Sequence, residues 1–423
     1  MANNRGTQAG EMSPEGAKLT RPGTVVSLDA RGHARVRVGE DWFVAKGPVP
    51  GDKLSVTLPA QGRKLRTWTL EKGAEGRRVA PCVVQEACGG CTLMSLDPMS
   101  QRAVLLDRIR HAFCAQSLPE VPVELEAGPE LGYRNRIRLR VNERSELTFF
   151  NGHKSEGCAV LEPSLRAALK PLLKRPLDAW KGVRFIELRA CDLDGRLGMY
   201  VVPMGAGPGS LHDGESLKVL FEGVCVQVAG TPTQSVQRFP LSQDLFVYAP
   251  LGSFVQVNFA MNARLVQWVT EQALASGARS FWDLFCGVGN FSLPLLKGGL
   301  TGLGVELDAF AVEAATRASN EQGLCGQFIA ADAGSWLETK QGELTDLILV
   351  DAPRAGFGAH VGLAARCATK AIILVSCCPE TLARDVRVLS RAGWTLTGMR
   401  GFEMFPQTHH VEVAALLRPP VQV

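Results

Sequence analysis

The stretch WDLFCGVGNFSLPL, residues 282–295, limits the possible fold more than any other. An apolar run ends at Leu284 and Phe285, Gly287 and Gly289 follow, and Asn290 leads into a second apolar run that reads as a helix start. Glycines at a strand-to-helix junction let the backbone approach a ligand, and the amides at the helix N-terminus offer it donors. The pattern therefore predicts a cofactor crevice. A dinucleotide fingerprint would place a third glycine where this chain has Ser292, which weakens a pyrophosphate reading. Glu306 closes the next apolar run, LGVE, about 20 residues on, the spacing at which a carboxylate grips ribose hydroxyls. Glycines and acid together suit any adenosine-bearing cofactor.

Strands and helices alternate around this stretch. From residue 256 the periodicity predicts a helix over 259–275, strand 280–286, helix 290–297, strand 301–306, helix 309–322 and strand 326–330. Strand 345–350, a helix near 360–368, strand 370–376, a helix over 379–392 and a closing strand pair complete it. Such alternation describes a doubly wound, Rossmann-like α/β domain over 256–423, with ligands at the carboxyl ends of its strands. Four strand ends carry residues suited to chemistry there: Phe285 with Asn290, Glu306, Asp351 after LILV, and Cys377 after IILVS.

The rest of the chain has a different texture. Residues 1–20 are polar and aperiodic, which reads as a disordered tail. Between residues 21 and 73 five short alternating runs, GTVVSL, ARVRV, WFVAKG, DKLSVTL and RTWTLEK, predict a small OB-like β-barrel. Residues 74–255 read as a central mixed α+β domain. It holds a helix near 95–115 with Leu105, Leu106, Ile109 and Phe113 on one face, and a strand YRNRIRLRV with one cationic face. Residues 1–73 hold 12 Lys and Arg against 7 Asp and Glu, leaving 34 against 35 for the remainder. The positive excess points to a polyanion contact at the N-terminal end, helped by Arg63, Lys64 and Arg66. No apolar run approaches the 18 or more residues of a membrane span, and the start has no signal h-region. A cytoplasmic, monomeric protein without a membrane partner is expected.

Twelve cysteines in such a chain argue for metal, cluster or catalytic use rather than disulfides. Cys114, Cys191, Cys225, Cys325 and Cys367 lie among apolar residues and are expected to be small core hydrophobes. Cys82, Cys88 and Cys91, with Gly89 and Gly90 letting the chain wrap, form a metal nest for which Cys158 is the best fourth ligand. Spacing alone does not separate an iron–sulfur centre from a four-cysteine zinc site.

Two further residues complete a reaction. Cys377 precedes Cys378, Pro379 and a helical pattern, so the helix dipole is expected to stabilise its thiolate. Glu412 stands in a short apolar strand, where burial is expected to raise its pKa towards that of a general base. Thiol, buried carboxylate and adenosine cofactor are joined by methylation at C5 of a pyrimidine. A thiolate adds to C6, C5 then accepts a methyl group, and a base removes the C5 proton.

These residues resemble the RNA uracil-5-methyltransferases, in the form that carries a TRAM domain and a [4Fe–4S] cluster. The resemblance runs from about residue 21 to the C-terminus. It rests on F-x-Q-x-N at Phe254, Gln256 and Asn258, on D-L-F-C-G-x-G-N-F at residues 283–291, and on the motifs around Cys377 and Glu412. It implies S-adenosylmethionine as cofactor, held by Gln256, Phe285, Asn290, Glu306, Asp332 and Asp351. It further implies Cys377 as nucleophile, Glu412 as base, and cluster ligation by Cys82, Cys88, Cys91 and Cys158. The implied partner is a uridine in a loop of rRNA or tRNA, since a stacked base is out of reach. Two departures are visible. Cys378 stands where the family has Asn, and Asp351-Ala352-Pro353-Arg354 stands where it has D-P-P-R or D-P-A-R. The first leaves a second reading, an RNA-binding or RNA-folding relative with weakened turnover. An iron–sulfur NAD-dependent oxidoreductase is disfavoured by Ser292 and by the lack of a hydride-chemistry motif.

Overall fold

The computed structural model describes residues 20–149, 152–154, 157–174, 180–190, 193, 195–205, 224–231 and 235–420. The expected tail lies outside them apart from Thr20, as does Cys191. The chain divides after Arg77 into two compact units.

The first unit is built from β1 (Thr20–Leu28), β2 (Ala34–Val38), β3 (Asp41–Ala45), β4 (Lys53–Thr57) and β5 (Thr67–Lys72), in the antiparallel order β3-β2-β1-β4-β5. Strict alternation in β2, buried at Ala34, Val36 and Val38, turns one face to a core shared with Val25, Leu54, Val56 and Leu65. The sheet closes on itself before β5: the Val44 amide donates to the Arg63 carbonyl at 2.7 Å, and the Leu65 amide to the Val44 carbonyl at 2.8 Å. This contact covers part of the β3 edge, which a sheet this small could not otherwise protect. Arg63, Lys64 and Arg66 are exposed around that seam.

The second unit starts with α1 (Gln85–Cys88), α2 (Pro98–Cys114), β6 (Glu124–Glu126), β7 (Arg136–Val141), β8 (Leu147–Thr148) and α3 (Pro163–Leu173). β9 (Val183–Arg189), β10 (Leu197–Pro203), β11 (Val224–Val228), and the hairpin β12 (Val236–Ser242) and β13 (Leu245–Pro250) follow. One sheet has the order β11-β10-β9-β7-β8 and packs Ile137, Leu139, Ile186 and Leu188 against Leu165 and Leu169 of α3. The arginines of β7 do share a face, but Glu187 on β9 partly neutralises it. Arg138 lies 3.1 Å, Arg189 3.2 Å and Arg136 3.8 Å from that carboxylate.

The remaining elements are α4 (Phe259–Ala275), β14 (Ser280–Leu284), α5 (Ser292–Lys297), β15 (Thr301–Glu306), α6 (Ala309–Glu321), β16 (Gln327–Ala330), α7 (Ala333–Glu338) and β17 (Thr345–Asp351). The chain ends through α8 (Val361–Cys367), β18 (Ala368–Ser376), α9 (Pro379–Arg391), β19 (Thr395–Phe402) and β20 (Glu412–Arg418). Their sheet has the order β16-β15-β14-β17-β18-β20-β19-β6. β14 to β18 run parallel, and β20 enters antiparallel to β18. The central β14, β17 and β18 are nearly unbroken buried apolar strands because helices cover both faces, while β15 and β16 towards the edge are more exposed. The predicted α/β alternation is thus present. The helix α7 was not expected, and β6, read by sequence as part of the central segment, supplies the edge strand beside β19.

The cysteines expected in the core divide. Cys367 is buried and Cys225 half-buried, whereas Cys114 and Cys325 are exposed. Cys114 ends α2 and Cys325 sits in the turn before β16, where apolar neighbours in sequence do not become neighbours in space.

Candidate active site

The glycine stretch folds as its spacing predicts, with one addition. Gly287 (φ +54°) and Gly289 (φ +86°) take the left-handed conformation, but so does Phe285 (φ +65°), for which it is strained. An edge-to-face contact with Phe357, at 5.6 Å between ring centroids, packs its ring. Ser292, in place of a third glycine, has its own role: its hydroxyl donates across 2.5 Å to Oδ2 of Asp283 at the base of the strand end. Asp283 is fully buried, its Oδ1 finds no partner among the described residues, and burial pushes its pKa up to about 8 despite that bond.

A cleft with about 500 Å³ of space, part of it open to solvent, lies over this turn. Gln256, Phe285, Asn290 and Asp351 all line it, together with Phe254 and Gly287. Asn290 is held by Asn262 through a reciprocal amide pair, 2.8 Å and 3.1 Å. Asn262 was not singled out by sequence; its place one helical turn after Asn258, the N-cap of α4, is the available signal. The Asn135 amide donates to the Gln256 carbonyl at 3.0 Å and fixes that loop from β7's side. Glu306 is not among the lining residues, yet it adjoins them: its carboxylate accepts from the amides of Gly287 at 3.1 Å and Asp308 at 2.9 Å. Asp332 also lies off the cleft, as the exposed N-cap of α7, accepting from the Ser335 amide at 2.8 Å.

Cys377 and Glu412 meet because of sheet register. Ser376 pairs with Val413 across the antiparallel β18 and β20, so the next residues outward are Cys377 and Glu412. Glu412 is 4% exposed, and burial, reinforced by the charge of Asp351, raises its pKa well above the ordinary carboxyl range. That is the direction expected of it. Cys377 requires a correction. Its thiol is pushed up to about 11, by burial first and by Glu412 second. Arg354 opposes the shift by hydrogen bonding to the thiol and by its charge. Arg354 in turn faces Nε2 of His410 at 3.4 Å, and His410 is held neutral, its pKa lowered to about 3 by burial and the neighbouring cations and His409. Asp351, raised to about 7 by burial and Glu306, joins this group to the cleft.

The cysteine nest forms a second cavity, of about 340 Å³, lined by Cys82, Cys88, Cys91 and Cys158 with Val84, Met94, Phe149 and Val160. Burial, then the nearby Cys158 and Cys88, pushes Cys91 up to about 12, and burial raises Cys158. Among the described residues no group of three or more His, Cys, Asp or Glu is spaced to hold one metal ion.

The chain matches the family model described as tRNA (Uracil-5-)-methyltransferase over residues 236–324 and 340–419. It is 31% identical to a 23S rRNA (uracil(1939)-C(5))-methyltransferase RlmD of Pseudomonas putida, across 92% of this chain and 91% of that protein. A protein of the same description from Shewanella piezotolerans is also 31% identical, across 88% and 89% of the two chains. Among solved structures, the tRNA (uracil-54, C5)-methyltransferase of Pyrococcus abyssi, in complex with S-adenosyl-L-homocysteine, superposes with a TM-score of 0.72 at 22% identity. That match covers 94% of this chain and 100% of the other, and speaks to the fold. No helix among the described residues is long and apolar enough to cross a membrane.

Proposed function

The chain belongs to the RNA uracil-5-methyltransferase family, and on that premise we propose that it forms 5-methyluridine in RNA with S-adenosylmethionine as methyl donor. The observation that carries the reading is the opposition of Cys377 and Glu412 at the end of β18 and β20, beside a cleft that gathers Gln256, Phe285, Asn290 and Asp351. Cys377 attacks C6 of the uracil as a thiolate, forming the C6–S bond and making C5 nucleophilic. S-adenosylmethionine, when bound, supplies the methyl cation that C5 accepts. Glu412 then takes the C5 proton, the C5=C6 bond re-forms, and the C6–S electron pair returns to Cys377.

Gln256, Phe285, Asn290, Glu306, Asp332 and Asp351 would hold the cofactor. The carboxyl groups of Glu306 and Asp351 beside the cleft suit a sulfonium and an ammonium, whose positive charge would favour their ionised forms. Arg354 lowers the cost of ionising Cys377, and is the group on which its activation rests. The substrate is 23S rRNA, as the relatives' descriptions suggest for a chain that spans about nine-tenths of their length. Residues 21–73 act as a TRAM domain that, with the arginines of β7, holds the RNA. Cys82, Cys88, Cys91 and Cys158 hold a [4Fe–4S] cluster in the cytoplasmic protein. Four thiols lining one cavity are the donor set such a cluster would need.

RNA bearing 5-fluorouridine tests the reading, because fluorine at C5 cannot leave as a proton. A denaturant-stable RNA adduct mapped to Cys377, dependent on S-adenosylmethionine, is expected. RNA binding without any adduct would identify a binding protein instead.

A further inference from the structure

The loop between β19 and β20 leads directly into Glu412, and beyond its own turn around Thr408 it is held by residues from elsewhere in the chain. Gln407 within it is 1% exposed and takes φ +73°, a strained state for a side-chain-bearing residue. Gln101 and Arg108 of α2 hold it at the Gln407 amide and the His409 carbonyl, and the cysteine nest holds it from the other side. The His409 amide donates to Oγ1 of Thr92 at 3.0 Å, and the same hydroxyl lies 3.1 Å from Nδ1 of His409. The Leu93 amide donates to the Gln407 carbonyl at 2.9 Å. Tyr133, packed beside Cys91 and Cys158, donates its hydroxyl to the Pro406 carbonyl at 2.9 Å. Thr92 directly follows Cys91, so the nest and the approach to Glu412 are one hydrogen-bonded body.

We propose that Thr92 is a positioning residue for Glu412, acting through His409 three residues upstream. The inference rests on Glu412 being the base that ends the reaction. Slackening the loop would leave thiol addition and methylation intact and slow only the last step, in which the C5 proton passes to Glu412, C5=C6 forms and the C6–S bond breaks. Methylated RNA would then remain attached to Cys377.

The experiment compares Thr92→Val, Thr92→Ser and Glu412→Gln in the full chain, with methyl-labelled cofactor and an ordinary, unfluorinated RNA fragment. Thr92→Val should lower kcat about tenfold with KM within about twofold, and should accumulate a labelled, denaturant-stable protein–RNA adduct. Thr92→Ser, which keeps the hydroxyl, should restore turnover and remove the adduct. Native turnover without adduct in Thr92→Val overturns the proposal. So does a loss of turnover that follows a lowered melting temperature with no adduct, which would mark a merely structural role. Adduct in Glu412→Gln but not in Thr92→Val sinks this inference alone. If Glu412→Gln accumulates none either, the assignment of the base fails and takes the inference with it.

Discussion

The thiol of Cys378 donates to Oε2 of Glu380 across 3.2 Å, and Glu380 accepts two hydrogen bonds from Arg108 of α2, at 2.9 Å each. The sulfur next to Cys377 is thus engaged with α9 and α2. As the N-cap of α9 it makes no side-chain bond to the helix amides, a task that Asn performs well.

Replacing Cys378 should therefore be mild. Cys378→Ala forfeits one weak hydrogen bond, about 1 kcal/mol, and should keep kcat within about fivefold. Cys378→Asn should raise stability by about 0.5–1 kcal/mol in urea melts by regaining the cap. In both, peptide mapping of the 5-fluorouridine adduct should find Cys377. Abolished turnover in Cys378→Ala would contradict the arrangement.

Cys377 should be a sluggish thiol in the free enzyme. With its pKa pushed up to about 11 by burial and Glu412, the thiolate is scarce at neutral pH, and alkylation should climb steadily to pH 9 without a plateau. Arg354→Met should slow it further at every pH, since the arginine is what lowers the value. Mass-spectrometric rates at Cys377 check both; a plateau near pH 7 would show a thiolate already stabilised.

Asp283 makes stability depend on pH in a definite direction. Its folded pKa of about 8 lies above its ordinary value of 3.8, so the native state holds the extra proton between those limits. Stability must fall as pH rises through that window. Asp283→Asn removes the effect. Urea unfolding should show the native protein losing up to about 2 kcal/mol more than the variant between pH 6 and pH 8. Parallel slopes for the two proteins would refute it.

Iron should accompany the cysteine nest. Protein purified without oxygen should carry iron and acid-labile sulfide at about four each per chain, and Cys158→Ser should lose both. One zinc per chain and no sulfide would replace the cluster with a single-ion site.

How much of this was legible in sequence depended on how far each interaction reaches. The order of α4 through β20 was readable because parallel strands covered on both faces appear as apolar runs. Phe285, Asn290 and Asp351 come together because they lie at predictable ends of such runs, whereas Gln256 was marked only by the family resemblance. What escaped was set by packing. The pKa of Cys377 answers to burial and to Glu412 across the sheet, which a nearby helix start does not reveal. Ser292 looked like a blemish in a glycine pattern until Asp283 appeared beneath it. The exposure of Cys114 and Cys325 follows from ending a helix and occupying a turn, despite their apolar neighbours.

The edge strand β6 has a consequence for how the protein is born. Glu124 pairs with Arg400, in backbone register and through a salt bridge spanning 276 positions of chain. On the ribosome, three residues made early must wait, unpaired, for a strand made almost last. Contacts of such long range form slowly and leave a nascent edge open to misassociation. Expressing the methyltransferase sheet from residue 256 alone would make that exposure permanent, so the catalytic half of this chain is not a detachable module.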